Sequence, residues 1–369
     1  MGEALKLLRI FNGYKSAQLA EMLGLSQSYI SELENNKKQP TIDILDRYAK
    51  LFNMKKSTLM LFAESLEAEN KKMNKTYPIE KSSLYRLRNR KKLAELLGLS
   101  PAFFRKEHIF EYKEFSQPKP NGDGQRHFTV PEDELKRIQK RLCRLMMRIE
   151  TPEWVISGKK HHSYITNAEK HLGGDFIKTM DISSFYDSAK KSYIYNMFRD
   201  KFLMEKDIAW LLTDLVTVDG KLPTGSPSSQ TIVFWAYRDM FERIFDISKK
   251  HDCEFTLYVD DMTFSSKKPI PRLLHTEVAE VLKKYDLKAK AKKDHYYQGK
   301  DFKVVTGVGI KSGKKVVLNR HRKNILDQYK KCREYNDKKE IERLKGMLLS
   351  ARQVEPELYP SIMDYIARS

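Results

Sequence analysis

The chain has 369 residues, of which 40% are hydrophobic and 32% are charged, and its formal net charge is +20. This length suffices for two or more domains with sizeable cores, and the apolar content is that of an ordinary globular protein, which excludes a disordered or membrane-embedded chain. The excess of lysine and arginine favours a polyanionic partner through attraction and counterion release.

Signals that would direct the chain to a membrane or across one are missing from the sequence. The apolar runs are short and interrupted by charge, which argues against a transmembrane helix and a membrane partner. The segment Met1–Leu5 lacks the basic-then-apolar plan of a signal peptide. Cys143, Cys253 and Cys332 lie far apart without metal-ligand spacing, so we expect free thiols in a reducing compartment. These features together predict a cytoplasmic protein.

Residues 1–65 are predicted to form a compact helical domain. Leu19, Ala20 and Leu23 share one helix face, Gly24 ends this helix, and Ser26 can cap the next one. The inward residues of the two following helices are expected to be Ile30, Leu33, Ile42, Leu45 and Ala49. Two short helices joined by such a turn are typical of a helix-turn-helix.

This segment resembles the Cro/phage-repressor-like family, in which the second helix of the motif enters the major groove of DNA. By this resemblance, one phosphate contact and three base contacts would come from Gln18, Gln27, Ser28 and Ser31. Glu32 and Glu34 oppose phosphate, so we expect a modest non-specific affinity for duplex DNA. The alternative is a domain that docks on a protein or on RNA.

A second module is expected to begin at Pro78, after a polar, charge-rich stretch over residues 66–77 that predicts a linker or the continuation of a helix. Two predicted strands then flank a turn rich in glycine and proline, with the basic residues Lys119 and Arg126 near it. The segment Glu134–Glu150 follows as a predicted amphipathic basic helix.

Three aspartates are the candidates for chemistry. Asp181 follows a short apolar strand and precedes Phe185 and Tyr186, although a lone Asp at such a place is commonly a helix cap or turn residue. Asp260 and Asp261 stand between two runs with high β-propensity, which predicts a hairpin with the acid pair at or beside its turn. Adjacent carboxylates repel each other, and hard oxygen ligands suit Mg²⁺. With Asp181 as a third ligand, the pattern favours a two-metal phosphoryl-transfer site.

Five elements in a fixed order resemble the motifs of reverse transcriptases, and two of them are those of the bacterial retron enzymes. In chain order they are the NAxxH element Asn167–His171, Asp181, the loop Leu222–Gln230, the YxDD element Tyr258–Asp261, and the VTG element Val305–Gly307. A lone YxDD is a weak signal, whereas five ordered elements are specific. The loop departs from the usual family pattern, which has Gln in place of Thr224 and Pro in place of Gln230.

The resemblance implies an α+β fold of the right-handed polymerase type, preceded by the small all-α helix-turn-helix domain. The implied domains are the helix-turn-helix at 1–65, the linker at 66–77, the fingers at 78–174, the palm at 175–312 and the thumb at 313–369.

The resemblance also implies roles for single residues. Asp181, Asp260 and Asp261 would be catalytic and, with the main chain of Ile182, would hold two Mg²⁺ ions. The residues around the incoming nucleotide would be Lys119, Arg126, Phe185, Tyr186, Gly225, Ser226 and Lys293. Among these, Tyr186 would exclude the ribose 2′-hydroxyl, and Gly225 would let the backbone approach a ligand closely. RNA recognition would involve Asn167, His171, Val305, Thr306 and Gly307, with a buried structural role as the alternative for His171.

Retron enzymes copy part of their own structured non-coding RNA into RNA-linked single-stranded DNA, and their systems defend bacteria against phage together with an effector. We therefore expect the partners to be that RNA, its DNA product, deoxynucleotides and an effector protein. One alternative is a group II intron-like or other bacterial reverse transcriptase. Another is a helix-turn-helix regulator with a non-catalytic, RNA-binding polymerase-like domain, although the complete acid set argues against it.

Overall fold

The computed structural model describes residues 1–73, 76–100, 102–105, 110–118, 124–335 and 337–368, with residues 65–73 and 105 described by their backbone alone. The chain divides into two compact units, Met1–Tyr77 and Pro78–Ser369. Within the described ranges, no helix has both the length and the apolar character needed to cross a membrane.

The first unit is all-helical. Its helices are α1 (Gly2–Phe11), α2 (Ser16–Leu23), α3 (Gln27–Glu34), α4 (Ile42–Leu51) and α5 (Lys56–Met73). Gly24 follows α2 with a φ of 64°, and the Ser26 side chain accepts a hydrogen bond from the Tyr29 N–H at the start of α3. Leu19 and Ile30 lie in a common core between the helices. The helix-turn-helix predicted from the stop and cap signals is therefore present.

One detail of this unit differs from the prediction, and a second follows the alternative of a continued helix. Ile42 is 71% exposed rather than inward, because it lies about 200° around α4 from the buried Ile44. Helix α5 continues to Met73, so the predicted linker is helical over much of its length. The segment from Lys56 to Met73 contains no glycine or proline that would end a helix.

The second unit begins with a helix, a hairpin and two further helices. These are α6 (Arg90–Leu97), β1 (Tyr112–Pro118), β2 (Gln125–Pro131), α7 (Asp133–Met146) and α8 (Tyr164–Glu169). Strands β1 and β2 are antiparallel, with Phe115 opposite Phe128. Helix α7 is amphipathic as predicted, since Leu135, Ile138 and Leu142 are all buried.

A four-stranded antiparallel sheet in the order β4-β5-β3-β6 forms the centre of this unit. The elements from here to the last strand of the sheet are β3 (Phe176–Asp181), α9 (Phe185–Ser188), α10 (Lys191–Asn196), α11 (Lys206–Val216), α12 (Ser229–Ala236), α13 (Arg238–Lys250), β4 (Glu254–Tyr258), β5 (Asp261–Ser266), α14 (Arg272–Lys284) and β6 (His295–Tyr297). Phe255 of β4 packs against Phe245 of α13, with ring centroids 6.3 Å apart. One face of the sheet is therefore closed by helix α13.

The remaining elements are a small sheet and three helices. They are β7 (Lys303–Val305), β8 (Val308–Lys311), β9 (Lys314–Val316), α15 (Asn319–Tyr335), α16 (Lys338–Arg352) and α17 (Pro360–Arg368). The sequence predicted one strand over Phe302–Ile310, but the chain reverses at Thr306 and Gly307, whose φ values are 46° and 84°. Two consecutive positive φ values are typical of a two-residue type I′ hairpin turn. The predicted α+β class with an all-α first unit is confirmed.

Candidate active site

Three carboxylates meet at one end of the four-stranded sheet. Asp181 ends β3 and lies directly opposite Asp261, the first residue of β5. Asp260 occupies the short loop between β4 and β5. One oxygen of each carboxylate lies within 4.8 Å of the other two. The sheet thus brings the distant Asp181 to the acid pair.

The loop that carries Asp260 is backbone-strained. Its first residue, Val259, has a φ of 62°, where a two-residue turn of this kind normally has glycine. A β-branched residue in this region costs about 1–3 kcal/mol and persists only where its surroundings enforce it. The Val259 N–H donates to Ser157 Oγ at 2.9 Å, and the Asp260 carbonyl accepts from the Ile182 N–H at 3.2 Å. These two hydrogen bonds fasten the turn to its neighbours.

The electrostatics of this cluster favour a bound cation. Burial raises the pKa of Asp261 to about 7, with opposing effects from Lys293, which lowers it, and from the other two aspartates, which raise it. Burial also raises the pKa of Asp260, and the charge of Asp181 adds to this effect. The Lys293 ammonium is hydrogen-bonded to Asp181 and lies 3.6 Å from Asp261 Oδ1. Two carboxylates whose ionisation is costly, converging with a third from Asp181, fit a hard divalent cation.

The two aromatic residues after Asp181 have different places. Phe185 is 2% exposed and packs against Tyr237 and Phe241, with ring centroids 5.4 and 5.9 Å away. Phe185 therefore has no surface for a nucleotide, contrary to the role implied by resemblance. Tyr186 is half-buried, and burial, followed by the nearby charge of Asp260, raises its pKa. Tyr186 is thus the ring beside the acids.

The β1–β2 hairpin contributes a positive charge near the aspartates. Burial dominates the raised pKa values of Asp260 and Tyr186, and the charge of Arg126 acts in the opposite direction on both. Arg126 is exposed, with its guanidinium 5.6 Å from the centre of the Phe128 ring. Its guanidinium is therefore accessible to an anion from solvent. Lys119 lies outside the described residues.

The loop Leu222–Gln230 is packed against the same hairpin. The Gly225 N–H donates to the Thr129 carbonyl at 3.0 Å, and a Cβ on Gly225 would lie 2.4 Å from Val130 Cγ2. The close approach expected at Gly225 is therefore made to the hairpin. Ser226 Oγ donates to Gln139 Oε1 at 2.5 Å, so its hydroxyl is engaged inside the protein.

Thr224, at the position where the family usually has Gln, connects the loop to β2 as well. Its Oγ1 accepts from the Thr129 N–H at 3.3 Å and donates to the His127 carbonyl at 3.1 Å. His127 is the neighbour of Arg126 in β2. The loop and the hairpin strand that carries Arg126 thus form one connected structure.

The residues expected to recognise RNA are largely enclosed. Asn167 and His171 are both 0% exposed, and Val305 is equally buried. The two ring nitrogens of His171 lie 2.7 Å from Ser265 Oγ and from Thr256 Oγ1. Neither Asn167 nor His171 offers a surface that RNA could contact directly, whereas Thr306 and Gly307 are half-buried.

In the first unit, the four residues expected to contact DNA are all on the surface: Gln18, Gln27, Ser28 and Ser31. The two acids expected to oppose phosphate are already paired. Arg9 donates to both oxygens of the buried Glu34, at 2.6 and 2.8 Å, and Glu32 lies 2.8 Å from the Lys38 ammonium. The outer surface of this motif is therefore less acidic than the sequence indicates.

Sequence reasoning missed the residues that support the site from a distance. Ser157 holds the strained turn, and Gln139, which is fully buried, holds Ser226. The available signals were a glutamine on the apolar face of α7 and hydroxyl residues, among them Thr256 and Ser265, that are buried in the strands of the hairpin. A buried polar side chain in such a place requires a partner.

Comparison with known proteins agrees with these two units. A family described as "Helix-turn-helix domain" matches residues 2–64. The retron Se72 reverse transcriptase of Salmonella heidelberg (strain 579083-10) is 25% identical over 222 residues, which cover 58% of this chain and 59% of that protein. The retron Ec86 reverse transcriptase of Escherichia coli is 24% identical over 270 residues, which cover 70% of this chain and 81% of that protein.

A solved structure of the foamy viral protease-reverse transcriptase in complex with double-stranded DNA is similar at 15% identity and a TM-score of 0.43, over 86% of this chain and 54% of that one. This chain thus spans 59% of the length of the Se72 protein and 81% of that of the Ec86 protein. The chain is thus similar in sequence to retron reverse transcriptases, and its residues 2–64 match a helix-turn-helix domain.

Proposed function

We propose that this protein is the RNA-directed DNA polymerase of a retron. It copies part of its own structured non-coding RNA, in the cytoplasm, into single-stranded DNA that stays linked to the RNA, and it acts with an effector in defence against phage. The observation that carries the proposal is the cluster of Asp181, Asp260 and Asp261 at the end of the sheet, in a relative of retron enzymes.

The three aspartates, together with the main-chain carbonyl of Ile182, would hold two Mg²⁺ ions. Such ions would supply positive charge that stabilises the negative charge developing at the reacting phosphate. The primer oxygen attacks the α-phosphorus of a deoxynucleotide, a phosphodiester bond forms, and pyrophosphate leaves.

The other residues near the cluster bind and select the nucleotide. Arg126 offers a planar fork of donors that suits the oxygens of a triphosphate. Lys293 supplies a second positive charge beside Asp181 and Asp261. The half-buried Tyr186, close enough to Asp260 to feel its charge, would exclude a ribose 2′-hydroxyl and so select deoxynucleotides.

Primer extension on a generic RNA template with Mg²⁺ and deoxynucleotides tests this proposal. Asp260→Asn should lower the extension rate by at least about 1,000-fold, because the site loses a ligand charge. Asp252→Asn is the matched control, since Asp252 lies just before β4 and its side chain is 88% exposed. Equal extension by the Asp260 variant and the control would refute the assignment. Sequencing the RNA and DNA that co-purify with the protein tests whether it copies its own structured RNA into RNA-linked DNA, as a retron enzyme does.

A second candidate function concerns the first unit, which we propose reads duplex DNA. Pairing of Glu32 and Glu34 with Lys38 and Arg9 removes the repulsion that the sequence suggested. Fluorescence anisotropy with DNA from the protein's own locus, over a range of salt concentrations, tests this with the full chain.

In that experiment, Gln27→Ala combined with Ser28→Ala should remove sequence-selective binding. Ser57→Ala, a change of an exposed serine in α5, should not. Binding that is insensitive to both changes would exclude a DNA reader and favour protein docking.

A further inference from the structure

His171 lies on the face of the catalytic sheet that helix α13 does not cover. It is 0% exposed, its Nδ1 is 2.7 Å from Ser265 Oγ of β5, and its Nε2 is 2.7 Å from Thr256 Oγ1 of β4. One imidazole therefore bridges the two strands of the hairpin that carries the acid pair.

The bridge lies on the same hairpin as the acid pair, further from its turn. Side chains alternate along a strand, so Thr256 and Tyr258 share a face of β4, as Ser265 and Asp261 do in β5. Tyr258 is paired with Asp261 across the hairpin. Thr256 is two residues from Tyr258, about 7 Å along the strand. Asp260 lies in the loop between these two strands, whereas Asp261 is paired with Asp181 through the separate β3–β5 ladder. A shift of β4 against β5 at His171 would therefore move Asp260 relative to Asp181 and Asp261.

The chemistry of the bridge is specific for a neutral imidazole. Such a ring has one N–H donor and one acceptor nitrogen, and each hydroxyl can take the complementary role. Burial lowers the pKa of His171 to about 3, so the ring stays neutral near physiological pH. A side chain that fills the space without both polar atoms would leave Thr256 and Ser265 buried without this partner, which is unfavourable.

The same segment reaches the small sheet on its other side. Asn167, four residues earlier in α8, donates from Nδ2 to Thr306 Oγ1 at 3.4 Å, and Thr306 Oγ1 donates to the Tyr164 carbonyl at 2.8 Å. Thr306 is in the turn between β7 and β8. The segment from Tyr164 to His171 thus connects that turn to the catalytic hairpin.

We infer that His171 is a positioning residue that clamps β4 to β5 and thereby holds Asp260, in the loop between them, in place relative to Asp181 and Asp261. It acts through the hairpin and touches neither RNA nor nucleotide. The effect that we expect on the rate of primer extension rests on the proposed polymerase function. The effect that we expect on metal binding does not, because the free protein has the same hairpin.

Two sets of variants test the clamp from both of its sides. His171→Phe keeps a ring of similar size and removes both hydrogen bonds, whereas Thr256→Val with Ser265→Ala removes the hydroxyls and keeps the histidine. Thr213→Val is the matched control, because Thr213 is also 0% exposed but donates only to Ala209 of its own helix.

The first readout is Mn²⁺ binding to the full-length protein without nucleotide, measured by electron paramagnetic resonance. Both clamp variants should raise the half-saturating Mn²⁺ concentration at least about threefold, as expected when supporting contacts of metal ligands are lost. The second readout is primer extension on a generic template. Here kcat should fall at least about tenfold, while the KM for deoxynucleotides should stay within about twofold, because orientation and not binding is lost.

Combining the two sets of substitutions should lower the Mn²⁺ affinity and kcat no further than either set alone, since both remove the same clamp. Unchanged Mn²⁺ affinity and kcat in folded clamp variants, with only a lower melting temperature, would overturn the inference and make His171 a packing residue. Where His171→Phe does not fold, the hydroxyl variants decide the matter. If the unaltered protein binds Mn²⁺ but extends no primer, the proposed function fails, and the Mn²⁺ comparison still decides the clamp.

Discussion

Tyr186 and Phe185 are neighbours in the sequence, and the fold gives them separate tasks. The backbone turn at Ser184, whose φ is 47°, begins the short helix α9. Phe185 then enters the aromatic core, and Tyr186 stays half-buried beside Asp260. Both residues are aromatic and adjacent in the sequence, and the path of the backbone decides which ring enters the core.

We expect Tyr186→Ala to raise the incorporation of ribonucleotides relative to deoxynucleotides at least about tenfold, because removing the ring opens space for the 2′-hydroxyl. The measurement is the ratio of kcat/KM for the two sugars on one primer–template. Phe185→Leu is the control, and it should cost about 1–2 kcal/mol of stability without changing the ratio. An unchanged ratio in the Tyr186 variant would make Tyr186 a packing residue only.

His171 should also make stability depend on pH. Burial holds its pKa at about 3, against an ordinary value of 6.5, so below pH 6.5 the unfolded chain binds a proton that the folded chain does not. The stabilising contribution is therefore complete above pH 6.5 and is lost as the pH falls toward 3. Between pH 7 and pH 5 the loss should be about 2 kcal/mol.

Denaturant unfolding of the unaltered protein and of His171→Phe at both pH values measures this contribution. The difference in unfolding free energy between pH 7 and pH 5 should be smaller in the variant by about this amount. The same pH dependence in both proteins would show that His171 does not titrate on unfolding as described.

At the scale of elements, the loop Leu222–Gln230 and the strand β2 behave as one structure. The contact between this loop and β2 depends on the absence of a side chain at Gly225. A Cβ there would lie 2.4 Å from Val130 Cγ2 and 2.9 Å from the Thr129 carbonyl oxygen. Because one of these neighbours is backbone, the contact cannot relax by a rotamer change alone.

Gly225→Ala should therefore push the loop away from β2 and cost about 1–3 kcal/mol of stability. The KM for deoxynucleotides should rise, because Arg126 is carried by the same strand. Gly173→Ala is the matched control, since a Cβ at Gly173 would meet nothing within 4 Å. Both variants are compared by thermal unfolding and steady-state kinetics, and similar behaviour of the two would show that the loop contact is unimportant.

Helix ends and hairpins could be predicted from the sequence wherever residues close in the chain determine them. The helix stop at Gly24, the cap at Ser26 and the hairpin around Asp260 depend on neighbouring residues, and each was found from them. The turn at Thr306 and Gly307 was missed because the apolar residues on both sides have high β-propensity and read as one strand. The partners of His171 are 94 and 85 residues away, so no local pattern reveals its two hydrogen bonds.

At the scale of the whole molecule, the chain consists of two units with separate cores. The core of the first unit lies among residues up to Leu59, whereas the three carboxylates and all their described hydrogen-bond partners belong to the second unit. A unit with its own core can be removed without opening another core.

We therefore expect a chain beginning at Lys75 to extend a generic primer–template at a rate within about twofold of that of the full chain. Its selective binding to DNA from its own locus should be lost, since Gln27 and Ser28 are removed. Primer extension and anisotropy on the same preparations measure both properties, with circular dichroism to verify folding. A large loss of polymerase activity in a folded truncated chain would contradict the independence of the two units.

The left-handed backbone at Val259 has a consequence for how this enzyme can change. Glycine at this place would release the strain of a β-branched residue, yet it would also widen the range of conformations open to the loop that presents Asp260. Thermodynamic robustness and catalytic precision therefore oppose each other at this one residue. A search for more heat-resistant variants should readily find substitutions that relieve the strain at this turn. The same substitutions should lower polymerase activity.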